Sequence, residues 1–396
     1  MTDELYILTL LSLPGIGKKS ASIIFGMLSE PPSTLATLID VIREAKRLHP
    51  RISVPSAEQA ETAQNRATNI VDDAANSDIR IICQSHSNFP ERLKTISDPP
   101  LILYAKGNLD CLLALDAVAI IGTREPSEYG YRVGEKLGAA FASMGFVVVS
   151  GLATGCDTRG HVGCLRAGGR TVAVLAHGLK TIYPSENRNL ASEIVEKSGC
   201  LVSEYAPNEK AQRSYFVERD RLQSALSAGV VVIETDVKGG TMHTVGFCLE
   251  QGKPLACLVH PPKYADHPKV NGNKYLIARG DAIGLATPGD VRDFAMGMRG
   301  KNMPREDATP VDQPSPEKYF TDLFSLPPIP LANDKVDQTE HAATGDKEQA
   351  VETDTAAIDQ LSTKEELQSP PKRKRHSSRN PTASIVQLPL NGLEEV

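Results

Sequence analysis

The chain has 396 residues, 40% hydrophobic and 23% charged, with a net charge of −6. That length allows two or three domains, one with a substantial core. A net-negative chain is not coated in positive charge, so any nucleic-acid contact has to come from a local patch. Cysteines at 83, 111, 156, 164, 200, 248 and 257 form no C-x-x-C pair, which predicts buried, reduced thiols in a cytoplasmic protein. No apolar run approaches about eighteen residues, and the N-terminus lacks a secretory h-region. Neither a membrane span nor a signal peptide is expected.

Residues 1–75 read as a helical domain: 5–13 is apolar on one side, and helical stretches follow at 34–48 and 56–75. Inside it, Leu13-Pro14-Gly15-Ile16-Gly17-Lys18-Lys19-Ser20-Ala21 carries the Pro-Gly-x-Gly turn of a helix-hairpin-helix (SAM-like) module. Its glycines let the turn approach a phosphate, and Lys18 and Lys19 open the second helix as possible secondary DNA contacts. A tight turn with two exposed lysines is the plainer alternative. A connecting segment, 76–114, holds short strands at 79–83 and 101–104 around Asp98-Pro99-Pro100.

From 115 to 296 strands and helices alternate. Strands are predicted at 118–121, 146–149, 171–175, 200–203, 230–234 and 255–259. Helices are predicted at 129–144, 157–167, 186–197, 216–226 and 241–251. Short apolar strands with intervening helices imply a doubly wound, mostly parallel sheet covered on both faces. Residues 297–396, rich in Pro, Ser, Thr and acidic residues, are expected to be a disordered tail. The tail carries a basic run, Lys372-Arg373-Lys374-Arg375, suited to a nucleic-acid tail, a localisation signal or a solvated charge cluster.

Ligands of such sheets sit beyond the carboxyl ends of the strands. There the sequence places Gly122-Thr123-Arg124, with backbone N–H groups, a hydroxyl and a guanidinium suited to phosphate. Ser150-Gly151-Leu152-Ala153-Thr154-Gly155-Cys156-Asp157 follows, with Asp157 a candidate helix N-cap. Ala176-His177-Gly178-Leu179 and Asp236-Val237-Lys238-Gly239-Gly240-Thr241 complete the set. Several such loops on one edge predict a phosphate-bearing ligand. The run Arg213-Ser214-Tyr215-Phe216-Val217-Glu218-Arg219-Asp220-Arg221 adds aromatics beside arginines, the pairing that single-stranded nucleic acid needs. The plainer reading of that run is an amphipathic helix start with its arginines paired to Glu218 and Asp220.

Catalytic signals are weaker. His161 follows Asp157 by one helical turn, but no third residue completes a constellation, and a structural histidine is the simpler reading. His177 and His243 stand similarly. HExxH, GxSxG, Walker and GxGxxG patterns are absent from the sequence. Neither enzymatic activity nor a cofactor or metal is expected.

The segments VAIIGTR (118–124), SGLATGCDTRGH (150–161), GGRTVAVLAHGL (168–179), IYPSENRNL (182–190), LVSEYAP (201–207), FVERDR (216–221), KGGTMHT (238–244) and NGNKYLIARGDA (271–282) resemble, in order, the DprA/Smf family of bacterial DNA-processing proteins. NFPERLKTISDPPLILYAKGN (88–108) and the N-terminal hairpin resemble it too, so the likeness spans residues 5–295. It implies a Rossmann-like domain that binds single-stranded DNA and helps load the RecA recombinase, notably on DNA taken up in transformation. It also implies a homodimer. By position, Arg124, Gly151, Gly155, Arg170, Phe216, Arg219 and Arg221 would line the DNA path, with Lys238 at its flank. Gly122, Thr123, Ser150, Gly239, Gly240 and Thr241 complete the expected set.

Some positions depart from the family pattern. Cys156 and Gly160 replace its usual Ile and Ala, Asp220 replaces an Asn, and no winged-helix domain is visible at the C-terminus. A carboxylate at 220 repels phosphate unless an arginine neutralises it. The same fold superfamily includes nucleotide sensors, which is the alternative reading. It also includes phosphoribohydrolases, whose loop glutamate is missing after Gly240-Thr241.

Overall fold

The computed structural model describes residues 1–299, 317–320 and 323–324. All belong to one compact unit, Met1–Pro330. The tail expected over 297–396, with its basic run, falls almost wholly outside the described residues. Within that span, Glu317–Phe320 is a short helix, and Phe320 and Leu323 are buried against the core.

The N-terminal region folds as helices Asp3–Ser12, Lys18–Phe25, Leu35–Leu48 and Ala57–Asn76. Thr2, Thr34 and Ser56 accept backbone N–H groups at three of the four starts, satisfying donors that a first turn leaves orphaned. Ser56 and Gln59 form a reciprocal capping box. In the hairpin between the first two helices, Gly15 sits at φ +76° and Gly17 is the N-cap. The apolar faces of these helices share one core with Leu175, Leu179, Leu190, Ile194 and Leu201.

The strands are β1 Arg80–Cys83, β2 Ile102–Gly107, β3 Ala117–Ile121, β4 Val147–Ser150, β5 Thr171–Leu175, β6 Cys200–Ser203, β7 Gly229–Val232, β8 Leu255–Leu258 and β9 Ile283–Leu285. They form one sheet in the order β1-β2-β6-β5-β4-β3-β7-β8-β9. The β1–β2 and β2–β6 pairs are antiparallel. All other pairs are parallel. Strands β3 to β8 are buried along their whole length, as a sheet covered on both faces requires. The chain winds outward from β3 in one direction through β6, then returns to place β7 on its other side. The carboxyl ends of β3 and β7 therefore flank the topological switch point, where open α/β sheets present ligand crevices. The expected doubly wound α/β class is the observed one. The sheet is larger than expected, because the connecting segment adds β1 and β2 on one side, with β1 at the edge, and β9 forms the other edge.

One packing device explains glycines that helix propensity alone disfavours. Helix Glu128–Ser143 crosses helix Cys156–Arg166 so closely that a side chain at Gly138 would overlap the Gly160 carbonyl, and one at Gly163 the Glu135 carbonyl. Gly246, by contrast, lies on helix Thr241–Glu250 with nothing within 4 Å of a would-be Cβ. In chemical denaturation, Gly163→Ala is expected to cost at least about 1–3 kcal/mol. Gly246→Ala is expected to add about 0.5–1 kcal/mol, because only the helix-propensity gain remains there.

Candidate nucleic-acid interface

The loops at the carboxyl edge do meet. Thr123 N donates to Glu234 O (2.7 Å), and Cys156 N donates to Thr123 O (3.1 Å). Three loops from β3, β4 and β7 are thus joined backbone to backbone. The glycines make this approach possible. Gly155 is at φ +76°, and a Cβ there would overlap the carbonyls of Thr123 and Arg124; one at Gly122 would stand 2.5 Å from Cys156 Sγ.

The anion seats so formed are occupied by the chain's own carboxylates, which corrects the expectation of an open phosphate cradle. Asp157 is not the N-cap; Gly155 is. The Asp157 carboxylate instead accepts from Gly151 N (3.1 Å) and Ala153 N (3.4 Å). Beside the switch point, Glu234 is fully buried at the start of helix Glu128–Ser143. There it accepts from Ser127 N (2.7 Å), from Ser127 Oγ and from His260 Nε2 (2.8 Å). A negative group at a helix N-terminus is what the unpaired N–H groups and dipole favour. Burial alone would raise the Glu234 pKa, but His260 and Ser127 hold it below the usual range.

Two of the expected DNA-contacting arginines are internal. Arg219 is 6% exposed; it donates to the carbonyls of Gly151 (2.9 Å) and Val174 (2.5 Å) and pairs with Asp220 (3.1 Å). Strand-end carbonyls shielded from water need donors, and a guanidinium supplies several at once. Gly151 is glycine for the same reason, since a Cβ would overlap Arg219 Nη1. Asp220, the departure from the family pattern, is neutralised by that arginine. Arg221 is 4% exposed, forked onto both Glu204 oxygens (2.9 and 3.0 Å) and near Asp98 (3.3 Å). Ser150 is also internal, donating to Ile120 O (2.6 Å). Arg170 precedes β5 and so lies at the amino edge of the sheet, away from the other candidates.

Lys18 of the hairpin is held by Glu218 (2.8 Å) and Glu204 (3.5 Å), above the Tyr205 ring; Lys19 is exposed. Tyr215 stacks on Tyr205 at 3.9 Å, so one face of its ring is taken up within the chain. His161 is buried on Thr171 Oγ1 (2.7 Å), and burial pushes its pKa down to about 3, so it is a neutral structural residue. The seven cysteines are buried and unpaired, as expected. Ligand atoms of Glu4, Cys83 and His86 lie within 4.8 Å of one another. Cys83 N–H, however, donates to His86 Nδ1 (3.3 Å), which leaves the ring proton on Nε2, facing Asp3 and Glu4 at 3.8 and 3.6 Å. With Nδ1 accepting and Nε2 carrying the proton, the ring has no lone pair left for a metal.

What remains outward at the carboxyl edge is a small set of cations and rings. Arg124 is exposed, with its guanidinium 5.5 Å from the centre of the half-buried Phe216 ring. Tyr183 meets Phe216 at 6.0 Å. Sequence reasoning did not select Tyr183, although it lies in the quoted segment 182–190. Lys238 is exposed on the neighbouring β7 loop, ahead of the Gly240-capped helix Thr241–Glu250, which has no side-chain cap. Arg213 opens the helix that carries Phe216, and it too is exposed. Among the described residues, none of these three cations forms an ion pair. The site is thus a doubly wound α/β edge with filled inner anion seats and an outer rim of cations and aromatic rings.

The family model for DNA recombination-mediator protein A matches residues 80–295. The chain belongs to that family. It is 40% identical over 177 residues to the DNA processing protein DprA of Bacillus subtilis (45% of this chain, 59% of that protein). It is 34% identical over 203 residues to the protein Smf of Escherichia coli (51% and 53%). The X-ray structure of DprA from Streptococcus pneumoniae superposes with a TM-score of 0.58 at 25% identity, covering 74% of this chain and 97% of that one. The chain matches little more than half the length of these two curated relatives.

Asp157 makes a pH prediction. Burial raises its pKa from 3.8 to about 6, against the opposing pull of Arg219 and the two backbone donors. The fold therefore binds a proton that the unfolded chain has already released. Stability from this source is complete below about pH 4 and is lost as pH rises through about 6. Urea titrations across that window are expected to show a shallower fall for Asp157→Asn than for the parent.

Proposed function

We propose that the chain binds single-stranded DNA along the outer rim of the carboxyl edge and acts as a non-enzymatic mediator that helps load a RecA-type recombinase. The observation that carries the binding reading is the grouping of Arg124, Phe216 and Tyr183 at the carboxyl edge, where the β7 loop adds Lys238, exposed and without an ion pair among the described residues. Cations follow the phosphate backbone while rings accept unpaired bases, and neither requires a particular sequence. The filled seats at Asp157 and Glu234 count against a mononucleotide sensor, because a lone phosphate would have to displace a buried carboxylate. Family membership supports the recombinase step and the homodimer, and the reduced thiols suit a cytoplasmic setting.

Oligo-dT titrated at several salt concentrations tests this reading. Arg124→Ala is expected to weaken binding to all sequences alike and to flatten the log K against log salt slope by about 0.7. Arg221→Ala is expected to act on folding instead, costing about 3–5 kcal/mol by leaving the largely buried Glu204 carboxylate with only the longer contact to Lys18 (3.5 Å). Calorimetry showing tight mononucleotide binding without oligonucleotide binding would replace the proposal with the sensor.

A further inference from the structure

Phe216 is the aromatic residue that the sequence singles out for stacking, yet both its surroundings and its burial argue for a different ring. It is half-buried, with the Arg124 guanidinium over its ring at 5.5 Å and Tyr183 meeting it at 6.0 Å and 61°. Tyr183 is 39% exposed. A flat base needs exposed ring surface carried on a firmly held backbone, and Tyr183 supplies both.

Its backbone is held by two buried polar side chains at the ends of one loop. His177, 2% exposed, accepts Tyr183 N–H at Nε2 (3.3 Å) while its Nδ1 faces Gly178 O (2.9 Å). Those partners fix the neutral tautomer with its proton on Nδ1, and burial pushes the His177 pKa down, so the ring stays neutral. Four residues beyond Tyr183, Asn187 is 6% exposed and donates to Leu152 O (2.8 Å) and Thr158 Oγ1 (2.9 Å). The β5 loop is thereby tied to the β4 loop. Leu152 itself sits at φ +59°, an unusual conformation for a leucine that this carbonyl contact helps to hold.

We propose that Tyr183 is the platform on which an unpaired base stacks, that Phe216 buttresses it from the side, and that Arg124 takes the neighbouring phosphate. The assignment rests on the DNA-binding reading above and adds to it a division of labour: one ring for the base, one guanidinium for the backbone. Stacking on a tyrosine is sequence-tolerant, because every base has a π-face. Duplex DNA, whose bases are already stacked, gains nothing from it.

The test uses the full chain and two labelled oligonucleotides of equal length, oligo-dT and the same backbone with abasic sites throughout. The parent is expected to bind oligo-dT more tightly than the abasic strand. Tyr183→Ala is expected to lose about 5- to 150-fold for oligo-dT, the range for one base–aromatic stack. It should bind the abasic strand as the parent does, and its salt slope should not change. Tyr183→Phe keeps the ring and is expected to stay within about two-fold of the parent for oligo-dT. The base preference of the unmutated chain is read directly, so the test does not depend on one variant folding. Tyr183→Ala binding oligo-dT as tightly as the parent, or keeping the parent's full preference for bases, would overturn the assignment while leaving DNA binding intact. Failure of the parent to bind either strand would remove the reading beneath it.

Discussion

The carboxyl edge of this sheet is organised by internal charge neutralisation. Where β3, β4 and β7 end, backbone N–H groups and helix starts converge and demand negative charge. The chain answers with Asp157 and Glu234, each buried and each reaching a donor set from another part of the loop system. Those carboxylates in turn need cations and donors, which Arg219, Ser127 and His260 supply. The strand-end carbonyls of Gly151 and Val174 draw on the same Arg219. A nucleotide-binding architecture is thereby closed at its centre, and its capacity for external anions moves outward to residues that the closure leaves unpaired.

The helix Arg213–Ala225 links this arrangement to the rest of the chain. Its inner face sends Arg219 under the strand ends and Arg221 onto Glu204, while Phe216 lies on the rim. Glu218 of the same helix holds Lys18 from the N-terminal hairpin, some two hundred positions away in sequence. The exposed Lys18–Glu218 pair contributes little stability alone. The Arg221–Glu204 pair beneath it, in which Nη2 alone reaches both carboxylate oxygens, is desolvated and orienting. The hairpin thus spends its first lysine on the protein, and only Lys19 remains free for solvent or a ligand.

The alternation of apolar runs with loops was enough to read the parallel strands, because strands buried on both faces are continuous hydrophobic stretches such as 118–121 and 171–175. β9 escaped notice because three residues carry no periodicity, and the connecting segment gave no sign that it would pair with β6. Gly138 on helix Glu128–Ser143 made sense only once the Gly160 carbonyl was seen opposite it, and Gly130 only once Glu234 was. At the site, the convergence of loops was legible, but the fate of each charge was not. Whether Arg219 faces a phosphate or a carbonyl depends on Gly151 and Val174, far from it in sequence. Arg221 likewise depends on Glu204 and Asp98. Spacing along a helix states which residues share a face; it does not state what that face will meet.

A chain with net charge −6 can still hold an acidic polymer if its cations are not cancelled where the polymer lies. Here cancellation is selective. Arg219, Arg221 and Lys18 are consumed by carboxylates or carbonyls, whereas Arg124, Arg213 and Lys238 are left without acidic partners among the described residues. Few free cations give few counterions released, so backbone attraction alone would be modest and would fade with salt. Aromatic stacking does not fade in that way, since it involves no ion exchange. A rim that sets one exposed ring beside one free guanidinium therefore couples a salt-sensitive contact to a salt-tolerant one. Only the second discriminates unpaired bases from duplex.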